Sequence, residues 1–222
     1  MRLKCNGLKY MRYLLVKCAS FIKTRKQNSN SKTMSVNTLY HKSNVWLEQE
    51  LTWIQKAQKD PACFAPLYKE YHEQIFRYIF QRMDDEDLAF DVTSQVFMKA
   101  LNNIKKYEYR GVPFASWLYR IAKSELYQAF RDKKAERAVN VESVHLFEIA
   151  EELEEDASDT NKKKMFACLS QLKENDMQLI ELRFFEKRSF REMGEILELT
   201  ENNAKVKTFR ALEKLKQLFI KK

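Results

Sequence analysis

The chain has 222 residues and a formal net charge of +9, and it contains only three glycines and three prolines. So few helix-breaking residues favour an all-α fold, and no apolar run is long enough to predict a membrane span. The four cysteines have no CxxC spacing and the three histidines are scattered, which argues against a zinc site and favours a reducing, cytoplasmic compartment.

The basic excess lies in residues 1–33, which carry nine of the 40 basic residues and no acid. The other 31 basic residues balance the 31 acidic ones, so the global charge does not by itself indicate nucleic-acid binding. We interpret residues 1–44 as a disordered basic leader, with Met34 as a candidate true start; a genuine basic arm is the alternative. A signal peptide is disfavoured because Lys17 interrupts the one apolar stretch.

Helical periodicity predicts a first domain over residues 45–135, with one apolar stripe beginning at Phe64 and a second at Leu88. The acidic residues 84–87 precede the second stripe, where a helix N-terminus favours negative charge. An enzyme with a metal site at these acids is one alternative. No histidine clusters with them, so we expect no metal, no cofactor and no catalytic residue.

The stretch PFASWLYRIAKSELYQAFRDKK, residues 113–134, predicts a helix with two different faces. Its apolar residues form a core-facing stripe in which Glu125 is the one misfit. The opposite face interleaves rings with polar and cationic side chains: Trp117, Arg120, Ser124, Tyr127 and Arg131. A solvated basic face is the simpler interpretation. A surface for nucleic acid, with cations on phosphates and rings stacked on unpaired bases, is the alternative.

Between Arg137 and Lys162 the chain has no lysine or arginine and carries eight acids. Such a composition is typical of a solvated, mobile segment. We therefore predict that residues 136–161 form an acidic linker between two domains.

Residues 162–222 are predicted to form a second helical domain. Ser189 and Glu192 have the capping-box spacing, and Thr200 can cap the next helix after a tight turn in which Glu198 replaces the usual glycine. Two helices joined in this way indicate a helix-turn-helix, whose second helix enters the major groove. The side chains left to face DNA are Asn202, Asn203, Lys205, Lys207 and Arg210. An ordinary helical hairpin with a basic flank is the alternative.

Four blocks in this order resemble bacterial RNA polymerase sigma factors of the extracytoplasmic-function (ECF) type. They are FAPLYKEYHEQIFRYI, DLAFDVTSQVFMKALNNI, FASWLYRIAKSELYQAFRDKK and LIELRFFEKRSFREMGEILELTENNAKVKTFRALEKLK. The resemblance implies two small helical domains joined by the acidic linker. The first is a helical bundle like sigma region 2, and the second is a helix-turn-helix like sigma region 4.

The resemblance also implies a function and its residues. The chain is expected to bind core RNA polymerase, to recognise minus-thirty-five and minus-ten promoter elements, and to assist promoter melting. Core polymerase docking is expected at Asp91, Val92, Ser94, Gln95 and Phe97. Minus-ten binding and melting are expected at Arg110, Trp117, Arg120, Lys123, Ser124, Tyr127 and Arg131, with Lys105 and Lys106 as further phosphate contacts. Minus-thirty-five binding is expected at Thr200, Asn202, Asn203, Lys205, Lys207 and Arg210.

The expected partners are core RNA polymerase, promoter DNA and an anti-sigma factor, with no small-molecule substrate. The main alternative function is a stand-alone helix-turn-helix regulator that binds DNA without polymerase.

Overall fold

The structure is a computed structural model, and it describes residues 44–83, 85–132, 143–153 and 159–221. Within these ranges the chain consists of helices and short connections without a strand, which confirms the predicted all-α class. None of the described helices is long and apolar enough to cross a bilayer. The predicted leader before residue 44, Met34, Asp84 and parts of the acidic linker lie outside the described residues.

Residues 44–67 are the described part of a first compact unit. Helix α1 (Asn44–Lys59) and a 3-10 turn (Pro61–Phe64) pack against each other within it. The turn begins after Asp60 because that carboxylate accepts a 3.0 Å hydrogen bond from a backbone N–H of the turn. A proline suits the first helical position, where an N–H has no helical partner.

The second unit, Tyr68–Lys222, begins within helix α2 (Ala65–Phe80). Helix α3 (Glu86–Asn103) follows, and helix α4 (Phe114–Arg131) packs along it. Gly111, in the connection before α4, has a φ of +74°, a left-handed conformation that glycine adopts without steric cost.

Aromatic side chains make many of the contacts among α2, α3 and α4. Phe76 of α2 stacks on Phe90 of α3 with ring centroids 4.2 Å apart, and Tyr78 of α2 meets Tyr119 of α4 edge-on at 4.8 Å. The predicted apolar stripes are confirmed as the core-facing sides of these helices, because each such ring removes a large apolar area from water. The core includes Tyr71, Ile75, Ile79, Val96, Phe114, Leu118 and Ala122.

Glu125, the one acid on the apolar side of α4, is 5% exposed. Its carboxylate lies 2.5 Å from the ammonium of Lys99 on α3. A buried carboxylate is tolerated when it is paired with a cation. Glu125 therefore fits the apolar stripe because its ion pair with Lys99 joins α4 to α3.

Helix α5 (Ser143–Glu152) lies within residues 136–161, the segment predicted to be a mobile acidic linker. Ile149 of this helix is fully buried, and α5 packs against helix α6 (Asp159–Leu169) and against a π-helical turn (Glu181–Phe185). Three of the eight acids, Glu148, Glu151 and Glu152, lie on this helix, and the burial of its apolar side stabilises a segment that its charge alone would leave unfolded.

Three further helices complete the second unit: α7 (Glu174–Ile180), α8 (Phe190–Leu197) and α9 (Glu201–Lys221). Helix α9 packs against both α7 and α8. The side of α9 that faces them carries Ala204, Thr208, Ala211, Leu215 and Phe219, all of them buried.

Candidate nucleic-acid interface

A capping box opens α8, the first helix of the predicted helix-turn-helix. The Ser189 hydroxyl accepts a 3.2 Å hydrogen bond from the Glu192 N–H, and the Glu192 carboxylate accepts a 2.9 Å hydrogen bond from the Ser189 N–H. These bonds satisfy backbone donors that have no partner within the helix. The predicted start of this helix is therefore confirmed.

Replacing Ser189 with alanine is expected to lower the free energy of unfolding by about 0.5–2 kcal/mol, because the cap is lost. Urea denaturation of the full chain measures this. Ser170→Ala is the control, since that hydroxyl makes an exposed hydrogen bond to the Ala167 carbonyl and its loss should cost less than about 0.5 kcal/mol. Equal losses in the two variants would contradict the capping role.

The turn between α8 and α9 has Glu198 at the position where a glycine is usual, and the nearby glycine is Gly194. Glu198 adopts the left-handed conformation itself, with a φ of 57°. The close approach is made at Gly194, where an added Cβ would lie 2.8 Å from the Leu199 carbonyl oxygen. The Leu199 N–H donates a 2.9 Å hydrogen bond back to the Gly194 carbonyl. The glycine that the tight connection needs thus lies inside α8.

Helix α9 presents its polar side to solvent. The Thr200 hydroxyl accepts a 3.2 Å hydrogen bond from the Asn203 N–H, so Thr200 caps the helix as predicted. The side chains expected to read the minus-thirty-five element are all exposed: Thr200, Asn202, Asn203, Lys205, Lys207 and Arg210. Amides and cations on an open helix face are suited to base edges and phosphates.

Two apolar residues on the same face were not predicted as site residues. Val206 is 39% exposed and Phe209 is 48% exposed, and the Phe209 ring centroid lies 6.2 Å from that of Phe190 on α8. Apolar groups on a major-groove helix suit thymine methyl groups. Their positions off the buried stripe of α9 are the signal in the sequence that distinguishes them from core residues.

The polar side of α4 lines a groove of about 800 Å³. Its other wall includes Ile196 of α8 and Glu198 of the turn. The groove therefore runs between two halves of the second unit, which we define as residues 68–132 and residues 143–221. Of the predicted melting residues, Arg110 does not line this groove, whereas the others do, together with Lys99 and Lys106: Trp117, Arg120, Lys123, Ser124, Tyr127 and Arg131. The structure therefore brings these rings and cations to one concave surface.

Trp117 is held in place by neighbouring rings. Its centroid lies 5.0 Å from that of Tyr107 and 5.3 Å from that of Phe114, while the side chain stays partly exposed to the groove. One part of the indole is fixed in the core and another remains open. A ring held in this way loses little conformational entropy when a base stacks on it.

The acids before α3 act as a helix cap. The Asp85 carboxylate accepts a 3.0 Å hydrogen bond from the Leu88 N–H, and Glu86 and Asp87 occupy the first turn of the helix, as their position predicted. Among the residues that the structure describes, no group of three His, Cys, Asp or Glu side chains is arranged to hold a metal ion.

The predicted docking residues on α3 divide between the surface and the core. Asp91 and Gln95 are exposed and Ser94 is half-buried. Val92 is 2% exposed and Phe97 is fully buried, so the structure places these two predicted docking side chains in the core and not on the surface. They lie on the core-facing side of the helix, where the Phe97 ring packs edge-on against Tyr68 at 4.8 Å.

Charged contacts join the α4 groove to α8, and no sequence pattern predicted them. The Glu195 carboxylate lies 3.3 Å from the Arg110 guanidinium and 3.5 Å from that of Arg120. Glu198 lies 4.0 Å from Arg120. Two cations expected to bind DNA are therefore paired with carboxylates of the helix-turn-helix.

A buried polar cluster lies beside these contacts. Arg82 and Glu181 form a 2.8 Å ion pair, and both side chains are less than one-tenth exposed. The Tyr119 hydroxyl donates a 2.5 Å hydrogen bond to the buried Glu186 carboxylate. Burial raises the pKa of Tyr119 well above its usual range, and the negative charge of Glu186 raises it further, so the hydroxyl remains a donor.

These features define a helical DNA-binding protein with two modules, one with a groove of rings and cations and one with a helix-turn-helix. Comparison with known families identifies both modules. Residues 67–136 match the model of sigma-70 region 2, and residues 168–217 match that of sigma-70 region 4. The chain belongs to the sigma-70 family of RNA polymerase sigma factors.

Its relatives include ECF sigma factors. The chain is 26% identical to the ECF RNA polymerase sigma factor BldN of Streptomyces coelicolor, over 74% of this chain and 64% of that protein. It is 25% identical to the ECF RNA polymerase sigma factor SigM of Bacillus subtilis, over 69% of this chain and 93% of that protein. The chain thus spans somewhat less than two thirds of BldN and nearly all of SigM.

A solved structure has a similar fold. CnrH, in complex with the cytosolic domain of CnrY, superposes with a TM-score of 0.53 at 17% identity. The match covers 76% of this chain and 96% of CnrH. At this identity the likeness supports a shared fold.

Proposed function

We propose that the chain is an ECF-type sigma factor that binds core RNA polymerase, recognises minus-thirty-five and minus-ten elements, and assists promoter melting. Residues 45–135 are assigned to polymerase and the minus-ten element, and residues 162–222 to the minus-thirty-five element. The observation that carries the proposal is the combination on one chain of an open helix-turn-helix reading face with a concave surface of rings and cations.

The minus-thirty-five element is assigned to α9. Asn202 and Asn203 lie in its first turn, which is the part of a recognition helix that reaches base edges first. Lys205, Lys207 and Arg210 follow along the exposed side and supply phosphate contacts, which fix the position of the helix on the duplex.

The minus-ten element is assigned to the groove along α4. Extruding a base costs a few kcal/mol of stacking and pairing, and stacking on a ring such as Trp117 or Tyr127 returns about 1–3 kcal/mol. Arg110, Arg120, Lys123 and Arg131 hold the phosphates of the opened strand, and Ser124 contacts a base or sugar. This binding energy favours the melted promoter.

Docking on core polymerase is assigned to the exposed part of α3, at Asp91, Ser94 and Gln95. The chain itself breaks no bond, since its contribution is binding energy that selects and opens a promoter. Its place of action is the cytoplasm, where polymerase and DNA are. An anti-sigma factor is the further partner that completes the proposal.

Transcription in vitro tests the proposal. Core polymerase with this chain is expected to initiate at a defined promoter, whereas core polymerase alone is not. A stand-alone regulator would instead footprint specific DNA without polymerase and add nothing to core activity, and that result would replace the sigma assignment.

The double substitution of Asn203 and Lys205 by alanine is expected to weaken upstream-element recognition by roughly 10- to 100-fold, because one base contact and one phosphate contact are lost. Holoenzyme binding to promoters with and without the upstream element measures this. Gln217→Ala with Lys221→Ala is the matched control, since it removes the same residue types at the exposed far end of α9. An equal fall in core affinity would show that α9 has been misassigned.

A further inference from the structure

The groove along α4 has a further line of polar side chains on its α3 side. Lys99 and Asn103 of α3 and Lys106 of the following 3-10 turn (Ile104–Lys106) all line it. Spacings of four and three residues place them on one side of the helix, and all three are exposed. The groove therefore has cations on its α3 side as well as on α4.

The ammonium of Lys99 is held at the edge of this groove by Glu125. The Lys99 Nζ atom donates a 2.5 Å hydrogen bond to the Glu125 Oε1 atom, and the Glu125 side chain is 4% exposed whereas that of Lys99 is 56% exposed. Removing a carboxylate from water is costly unless it stays paired. The buried partner therefore fixes where the exposed ammonium lies.

The ion pair leaves the ammonium able to bind a second anion. A lysine ammonium has three N–H donors and no acceptor, and Glu125 takes one of them. Within the described residues, no other side chain accepts a hydrogen bond from it. Two donors on a half-exposed side chain are thus left at the groove, and phosphate oxygens are the acceptors that the backbone of a nucleic-acid strand offers.

Packing alone does not explain an acid at position 125. The nearest residues on the same side of α4 are apolar, and Leu118, Ala122 and Ala129 are all buried there. Apolar residues in place of a buried ion pair often give equal or greater stability. The pair therefore points to a role for the positioned charge beyond joining α3 to α4.

We propose that Lys99 binds a backbone phosphate of the opened promoter strand, and that Glu125 is the positioning residue that holds the Lys99 ammonium in place. Asn103 and Lys106 extend the same line of contacts along the α3 side of the groove. A positioned ammonium loses less conformational freedom on binding than an unrestrained lysine does. This inference rests on the proposed function of the groove, and it adds α3 to the helices that hold the strand.

The first test removes the ion pair without changing the net charge. Lys99→Gln with Glu125→Gln in the full-length chain deletes one positive and one negative charge. The affinity for a fluorescent single-stranded oligonucleotide of random sequence is measured by anisotropy at several salt concentrations. We expect a loss of roughly three- to tenfold at low salt, because one phosphate contact disappears. The slope of log affinity against log salt concentration is expected to become shallower by about 0.7.

The matched control is a second lysine–carboxylate pair, which does not line the groove. Lys214 of α9 and Asp176 of α7 lie 2.7 Å apart, and their side chains are 55% and 15% exposed. Lys214→Gln with Asp176→Asn also conserves the net charge. It is expected to change single-strand affinity by less than about twofold and to leave the salt slope unchanged. Equal losses in the two double variants would overturn the inference.

Two single substitutions of Glu125 test its positioning role. Glu125→Gln and Glu125→Leu give the same net charge, but only glutamine keeps an oxygen that can accept the Lys99 hydrogen bond. The leucine variant is expected to bind the single strand more weakly than the glutamine variant, by about twofold or more. Urea denaturation checks that both variants are folded. Equal affinities of the two folded variants would show that Glu125 does not position Lys99.

An unchanged affinity and salt slope in the Lys99 and Glu125 double variant would overturn the inference, and the pair would then serve only to join α3 to α4. Transcription with core polymerase is measured in parallel on the unsubstituted chain. Absence of transcripts would refute the proposed sigma function, whereas the comparison of variants would still decide whether Lys99 contacts the strand. An unsubstituted chain that binds no single strand would refute both the assignment of the groove and this inference.

Discussion

Replacing Trp117 with alanine is expected to reduce promoter opening by roughly 5- to 150-fold, because one stacked base contributes about 1–3 kcal/mol. Binding of holoenzyme to the closed promoter is expected to change little, since the indole is assigned to bases that become unpaired later. Permanganate reactivity of promoter thymines measures opening, and gel-shift titration measures closed-complex binding.

Trp117→Phe is the matched control, because it keeps a ring between Tyr107 and Phe114 and therefore keeps a stacking surface. It is expected to retain most of the permanganate reactivity. Trp117 also packs against two rings, so the free energy of unfolding of both variants is measured alongside. Unchanged reactivity in a folded alanine variant would remove Trp117 from the melting mechanism.

Replacing Phe97 with alanine is expected to lower the free energy of unfolding by about 3–5 kcal/mol, the usual cost of removing a fully buried ring. Urea denaturation measures the loss. The family resemblance assigned Phe97 to polymerase docking, whereas the structure places it in the core. The size of the stability loss decides between these two roles.

Asp91→Ala with Gln95→Ala is the companion experiment on the same helix. Both side chains are exposed, so stability is expected to change by less than about 0.5 kcal/mol per site. Core polymerase affinity is expected to fall instead, by several-fold in a titration of core with labelled chain. A Phe97→Ala variant of normal stability but reduced core affinity would show that the assignment of Phe97 to the core is wrong.

The local features of the candidate interface were predictable because each depends on residues close together in the chain. The capping box at Ser189, the Thr200 cap and the exposed side of α9 follow from spacings of three or four residues. The left-handed Glu198 could be inferred from the tight turn, but the role of Gly194 could not. It depends on how closely the Leu199 carbonyl returns to α8.

Matching a family motif was less reliable on α3. Val92 and Phe97 fit the docking pattern as residue types, yet their position on the core-facing side of the helix decides what they contact. The converse holds for Glu125, which looked misplaced on an apolar stripe. Its partner Lys99 lies 26 positions earlier, and only the packing of α3 on α4 brings the two charges together.

The sequence by itself determined the all-α class, the starts of α8 and α9, and the two chemical faces of α4 and α9. Helix periodicity and capping depend on residues only a few positions apart, so both can be inferred from the sequence alone. Only the tertiary structure decided that Arg82 pairs with Glu181, 99 positions away, and that Glu195 meets the cations of the groove. Such pairs depend on how helices pack at a distance in sequence, and no spacing of residues along the chain encodes them.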